Sequence, residues 1–288
     1  MFLNKNCNHE ISFNIKVIIG GKKMINKKVK SLIIICATLL LFSICVIQLN
    51  ENTITTSTAE NSKTIAWGIK RSKNNMQPDV GAENKKVLEE NGGICLGGNM
   101  EKFIYLTFDE GYEAGYTSKI LDTLKANDVK ATFFITSHYL NTASKMVQRM
   151  IEEGHIVANH TCSHTSMPSI SDEEIEKEIM KLHQAVYEKF NYEMKYIRPP
   201  KGEFNERTLK KSLELGYKTV MWSFAYFDWD EKKQPLLEDA KEMIVNNFHN
   251  GEIMLLHPNS KTNSEVLDTI IKEARNQGYE FRLLSEFK

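Results

Sequence analysis

From residue 102 onward the chain alternates short apolar runs with stretches of helical periodicity. The strand-like runs fall at 103–108, 131–136, 155–158, 195–198, 217–222, 252–256 and 279–283. Helical stretches occupy roughly 115–127, 143–153, 171–190, 205–215, 235–248 and 264–277. Phe103, Ile104, Tyr105 and Leu106 leave no polar face, as a strand covered on both sides requires. Ser171-Asp172-Glu173-Glu174 is a capping-box helix start. Gly154, Gly216 and Gly278 each stand where a helix should stop before the next strand. Strand–helix alternation implies parallel strands joined by crossover helices. Seven such units predict an α/β fold, a distorted (β/α) barrel closed short of eight strands, with a doubly wound sheet as the alternative.

Upstream the rhythm is lost. Residues 65–100 show no steady period and are expected to form an arm laid across the domain, with one short helix near 84–90. The Thr/Ser/Asn-rich stretch at 50–64 reads as a linker. Residues 31–49 hold an apolar run of about 18 residues preceded by Lys27, Lys28 and Lys30, just long enough to span a bilayer. Lysines before the run and none soon after it orient the C-terminal bulk outside the cytoplasm. The segment is either a signal anchor or the core of a cleaved signal peptide. Residues 1–30 are then cytoplasmic, or partly untranslated if synthesis starts at Met24. The domain proper is expected at 101–288.

Composition narrows the picture modestly. Lys+Arg 37 against Asp+Glu 37 leaves no global field for nucleic acid. Five cysteines without CxxC spacing argue against a disulfide framework and against a thiolate zinc site. A Cys95–Cys162 bridge is the one pairing left open.

The chemistry collects at the C-terminal ends of the predicted strands, where a β/α barrel carries its working residues. The first strand ends in Asp109-Glu110-Gly111. Two like charges at the tip of a buried strand require compensation, which a divalent cation supplies; alone, the triplet is no more than a polar strand end. The third strand runs into Asn159-His160-Thr161-Cys162-Ser163-His164, whose two imidazoles, four residues apart, can meet at one point. The fourth gives Arg198-Pro199-Pro200-Lys201-Gly202, the fifth leads to Asp228-Trp229, and the sixth ends in Leu255-Leu256-His257-Pro258. Two histidines and a carboxylate leave coordination positions open for water, the mark of a catalytic metal site rather than a structural one. Cys162 reads as a small buried side chain. Adjacent carboxylates cannot flank a bond at the roughly 5–10 Å that a glycosidase needs.

TFDEG, HTCSH, RPPKG, the segment from Trp222 to Asp228-Trp229, and LLH, in this order, resemble the five motifs of the polysaccharide deacetylase family, the NodB-homology domain of carbohydrate esterase family 4. The resemblance covers about residues 100–288. Within the family the chain is most similar to the peptidoglycan N-acetylmuramic acid deacetylases of spore formers, through FDEGYE, WSFAYFDW, the Ser260-Lys261-Thr262-Asn263 loop and the Trp67-Gly68 arm.

The resemblance implies a metal-dependent hydrolase that releases acetate from an N-acetyl sugar. Glu110, His160 and His164 would hold a divalent metal, zinc or manganese. Asp109 would be the general base, paired with Arg198. His257 would protonate the departing amine, oriented by Asp228. Pro200, Lys201, Trp222 and Trp229 would line the substrate pocket, with the Lys201 backbone N–H helping to stabilise the oxyanion. Three positions depart from the family pattern: Glu110 for the usual Asp, Ala225 for the first Asp of the fourth motif, and Lys201 for an aromatic. The Lys201 ammonium is expected to meet the lactyl carboxylate of muramic acid, or else to be simply solvated. The implied partner is the peptidoglycan glycan strand, met outside the cytoplasm by a monomer that is membrane-anchored or secreted, in the developing spore cortex, where muramic δ-lactam would follow. The rivals are a deacetylase of N-acetylglucosamine polymers and a glycan-binding module with a decayed site.

Overall fold

The structure, a computed structural model, describes residues 63–287. The apolar run at 31–49, the Met24 start and all but the end of the 50–64 linker lie outside them. Among the described residues no helix is long and apolar enough to cross a membrane.

The arm carries β1 (Ile65–Ala66) and α1 (Ala82–Glu90). The alternating region follows as β2 (Phe103–Glu110), α2 (Thr117–Ala126), β3 (Thr132–Ile135), α3 (Ser137–Thr142), α4 (Ser144–Glu152), β4 (Ile156–Asn159) and α5 (Asp172–Phe190). It continues with β5 (Tyr196–Ile197), β6 (Glu203–Phe204), α6 (Glu206–Glu214), β7 (Lys218–Thr219), α7 (Leu237–Val245), β8 (Glu252–Leu256), α8 (Lys261–Asn276) and β9 (Glu280–Phe281). Each of the seven expected runs contains a strand of one sheet, ordered β7-β5-β4-β3-β2-β8 with β9 on β2, and every pairing in it is parallel. The Ser171 capping box is formed as the sequence predicts. The short β1–β6 antiparallel pair and α3 carry too few residues for a periodic signal.

The sheet is a half-barrel, not a closed barrel. No ladder joins β7 to β8 among the described residues. The gap is spanned by single parallel bridges, Ile94 to Val220 from the arm and Phe224 to Met254. β5 and β7 are two residues long, so they cannot supply the continuous edge that closure demands. The arm compensates: Trp67, Val80, Leu88 and Cys95 pack with Phe204, Leu209 and Met221 into a core of their own.

β2 is central, paired to β8 through 104–108 and to β3 through 107–110. Its pleat separates two layers. Ile104, Leu106 and Phe108 join the large core under the helices. Tyr105 faces inward with Phe134, Ala158, Val220 and Ile253. Cys95 and Cys162 are free thiols, so the bridge left open by the sequence is not formed.

The arm seats tightly at Gly251. Its φ is +69°, and a Cβ there would lie 2.5 Å from the Gly97 carbonyl carbon and 2.6 Å from the Gly98 oxygen. Both obstacles are backbone and cannot swing aside. Gly251→Ala is therefore expected to destabilise by about 1–3 kcal/mol or more, read as a lower urea midpoint. A wild-type midpoint would mean that 97–98 does not pack on this turn.

Candidate active site

Asp109 and Glu110 are adjacent on β2, and because the strand runs through both they face opposite ways. Asp109 points inward with Thr107. Glu110 points to the helix layer, where its Oε1 accepts from the Thr117 hydroxyl at 3.3 Å at the start of α2. Burial, then the charge of Glu113, pushes the Glu110 carboxyl well above its ordinary value, favouring the protonated form.

Arg198 follows β5 and is completely buried. Its Nη1 donates to Asp109 Oδ1 at 2.7 Å, its Nη2 to the Thr107 hydroxyl at 3.0 Å, and its Nε to the Val220 carbonyl at 3.1 Å. The guanidinium lies 4.2 Å over the Phe134 ring. Burial alone would raise the Asp109 carboxyl. The charge of Arg198 foremost outweighs it and holds the group below the usual carboxylate range. Asp109 is thus held ionised and oriented.

His160 and His164 come from the loop after β4. The loop is not helical: Thr161 and His164 have φ of +66° and +59°. The Asn159 side chain accepts from Thr161 N, and the Thr161 hydroxyl accepts from His164 N, which holds these left-handed residues in place. The two rings meet edge to face with centroids 4.8 Å apart. His160 Nδ1 lies 2.8 Å from the Arg198 carbonyl and donates to it, which leaves a lone pair on Nε2, 3.6 Å from Asp109 Oδ2. Burial lowers this imidazole to about 4, so it is neutral near pH 7.

His257 follows β8. Its Nδ1–H donates to Asp228 Oδ1 at 2.7 Å, and its backbone N–H to Asp228 Oδ2 at 2.8 Å. Asn263, at the start of α8, donates to Asp228 Oδ2 at 2.6 Å and to the His257 carbonyl at 3.0 Å. The Tyr226 hydroxyl in turn donates to the Asn263 side-chain carbonyl. Burial would lower the His257 imidazole, but the Asp228 charge and hydrogen bond raise it above its ordinary value. The geometry leaves Nε2 for the substrate side, as an acid needs.

Pro200, Lys201, Trp222 and Trp229 sit around these groups. Lys201 is exposed with φ of +61°, and its charge acts on His164. The tight turn continues at Gly202, φ +68°, where a Cβ would meet Trp222 at 2.7 Å. Trp222 is fixed from behind by the arm, Trp67 Nε1 donating to its carbonyl at 2.9 Å, and its ring lies 5.8 Å from the Arg198 guanidinium. Pro200 is buried. Trp229 is half exposed, its ring 5.6 Å from His257.

The structure therefore brings together Asp109, Arg198, His160 and His164, and joins His257 to Asp228. Glu110 faces the helix layer instead, on Thr117. Among the described residues no three His, Cys, Asp or Glu side chains are grouped as a metal requires. Thr107, Tyr226 and Asn263 lie inside the quoted motifs, but the sequence assigns them no role; the structure makes them supports of Arg198 and Asp228. A groove of about 970 Å³ on the outer flank of the His160 loop is lined by Leu140, Cys162, Glu176 and Met180 among others. It carries none of the ionisable site groups, so the chemistry lies elsewhere.

Residues 97–220 match the family model described as polysaccharide deacetylase. The chain is similar to the peptidoglycan-N-acetylmuramic acid deacetylase PdaA of Bacillus subtilis, 40% identical over 77% of this chain and 85% of that one. It is also similar to a peptidoglycan-N-acetylglucosamine deacetylase of Bacillus cereus, 35% identical over 70% of this chain and 96% of that one. The solved structure of Bacillus subtilis PdaA, a family 4 carbohydrate esterase, superposes with a TM-score of 0.76 at 39% identity, covering 78% of this chain and 97% of that one.

Proposed function

This chain belongs to the polysaccharide deacetylase family, and from that premise we propose that it removes the N-acetyl group from muramic acid residues of peptidoglycan. The observation that carries the reading is the matched pair of ionisable groups: a carboxylate whose ionised form is favoured by a buried arginine, and an imidazole whose protonated form is favoured by a buried carboxylate. A base and an acid with separated proton affinities are what amide hydrolysis near neutral pH requires.

Asp109 takes a proton from a water as its oxygen bonds to the acetamide carbonyl carbon. The Lys201 backbone N–H would support the oxyanion. His257 Nε2 then gives its proton to the nitrogen as the C–N bond breaks, releasing acetate and a free amine. Asp228 keeps the imidazole in the tautomer for that transfer. Trp222 and Trp229 wall the acetyl methyl group. Enzymes of this family are metal-dependent deacetylases. His160 and His164 are the residues that would hold the divalent metal, zinc or manganese suiting imidazoles, and it would supply polarisation of the acetamide carbonyl.

The muramic acid assignment is supported by the similarity to PdaA and by Lys201, whose ammonium suits the lactyl carboxylate that glucosamine lacks. The similarity to a glucosamine deacetylase favours the alternative substrate. A decayed binding module is disfavoured, since binding alone needs neither the Asp109–Arg198 pair nor the His257–Asp228 pair. The reading extends to action outside the cytoplasm on spore cortex, where the new amine would close to a δ-lactam.

The test is acetate release by the metal-loaded protein from peptide-stripped glycan strands, beside N-acetylglucosamine oligomers. Release from the stripped strands alone is the expected result; release from the oligomers alone overturns the muramic acid assignment. Lys201→Tyr should lower kcat/KM on the muramyl substrate by about tenfold, one charge-assisted contact, with less effect on glucosaminyl oligomers. Equal losses on both would remove Lys201 from recognition.

A further inference from the structure

Among the described residues four aromatic side chains are more than a third exposed: Tyr112, Tyr187, Phe227 and Trp229. Three of them gather at the site. Phe227 and Trp229 touch, with ring centroids 4.5 Å apart, and Trp229 reaches His257. The Tyr112 hydroxyl donates to Glu231 at 2.8 Å and accepts from Asn259, which also donates to the Trp229 carbonyl.

Scattered exposed apolar side chains need no explanation, but a contiguous patch does. Here the patch is held in place. Gln234 donates to the carbonyls of Asp228 and Asp230, and Asn259 pins Trp229. The rings are therefore presented on a fixed loop, which lowers the entropy cost of binding against them. Trp229 lies beside the proton donor, so the sugar that loses its acetyl group occupies it. Phe227 lies beyond that contact and has no part in the chemistry. An internal residue of a glycan strand has a sugar on each side, and this rim, carrying the exposed rings next to Trp229, offers a surface for one of them. A pyranose has one face of C–H groups and an edge of hydroxyls. An aromatic face flanked by the Tyr112 hydroxyl and the Glu231 carboxylate matches both.

We infer that Phe227, backed by Trp229, forms a second saccharide subsite, taking the apolar face of the sugar next to the one deacetylated. The inference rests on the proposed function in requiring a glycan strand, whichever amino sugar carries the acetyl group.

The experiment compares strands of increasing length from both substrate classes. Phe227→Ala should raise KM by about tenfold on strands long enough to cross the rim, the size of one aromatic contact. On the shortest strand that reacts it should change nothing, and kcat should be kept throughout. Phe227→Trp should restore the KM of long strands. Tyr187→Ala, the exposed aromatic on α5, should leave both lengths unchanged. A KM change equal at all lengths, or none at any, overturns the subsite. If neither substrate class releases acetate, the proposed function fails while the subsite is still decided by retardation in a glycan-containing gel. Loss of retardation in Phe227→Ala supports it, and unaltered retardation overturns it. A patch that instead joins two copies would appear in ultracentrifugation as a dimer abolished by Phe227→Ala, which also overturns it.

Discussion

Arg198→Met should cost about 3–5 kcal/mol of folding stability, because it leaves Asp109 buried with its charge uncompensated. The guanidinium is completely buried and holds Asp109, Thr107 and the Val220 carbonyl at once, between the rings of Phe134 and Trp222. Methionine refills the apolar stem volume but satisfies none of those acceptors. The diagnostic comparison is Arg198→Met with Asp109→Asn. Removing the charge together with its partner should leave the double variant more stable than Arg198→Met alone, since the penalty lies in the unpaired ion. Urea unfolding of the full chain measures both. If Arg198→Met unfolds within 1 kcal/mol of wild type, a margin well below a broken buried pair, then Asp109 is solvated in solution. Both variants should be catalytically dead, since each lacks the oriented base.

Asp228→Asn should lower acetate release by about 10²–10⁴-fold, the usual weight of a general acid, and should change the pH profile in a stated direction. In the wild type, Asp228 raises His257 above the ordinary histidine value. The acid form therefore persists to higher pH than in an ordinary histidine, and activity falls as pH rises through that raised value. An asparagine still accepts from Nδ1–H but carries no charge, while burial, which lowers the imidazole, persists. The alkaline limb of kcat/KM must then move to lower pH. A limb that stays in place would mean that His257 does not titrate in it, and would take the proton-donor role away from this residue. Asn263→Ala should shift the limb more weakly, because it loosens Asp228 without removing the charge.

Apolar period and glycine placement determined the order of elements, and the strand-end rule placed the chemistry on one rim before any coordinates. Arg198, His160 and His257 each follow a strand directly and Asp109 lies in the last two residues of β2, and a parallel sheet brings such ends together whatever the loops do; His164 and Asp228 lie further along their loops. The facing of Glu110 is hidden for the opposite reason. Two adjacent carboxylates look like one feature in a linear chain, but a strand that continues one residue further sends them to opposite faces. The last paired residue depends on the partner strand: Glu110 is held in register by Ile135 of β3, a contact no local pattern encodes. Closure of the barrel was misread in the same way, since it depends on whether β7 and β8 share a ladder rather than on how many strands exist. The supports of the site, Thr107 under Arg198 and Asn263 behind Asp228, lie 91 and 35 residues from the groups they hold. Side chains chosen for a partner so distant leave no periodic trace. Sequence thus determined which residues could act, and tertiary packing decided which of them meet, because facing and register are properties of pairs of strands.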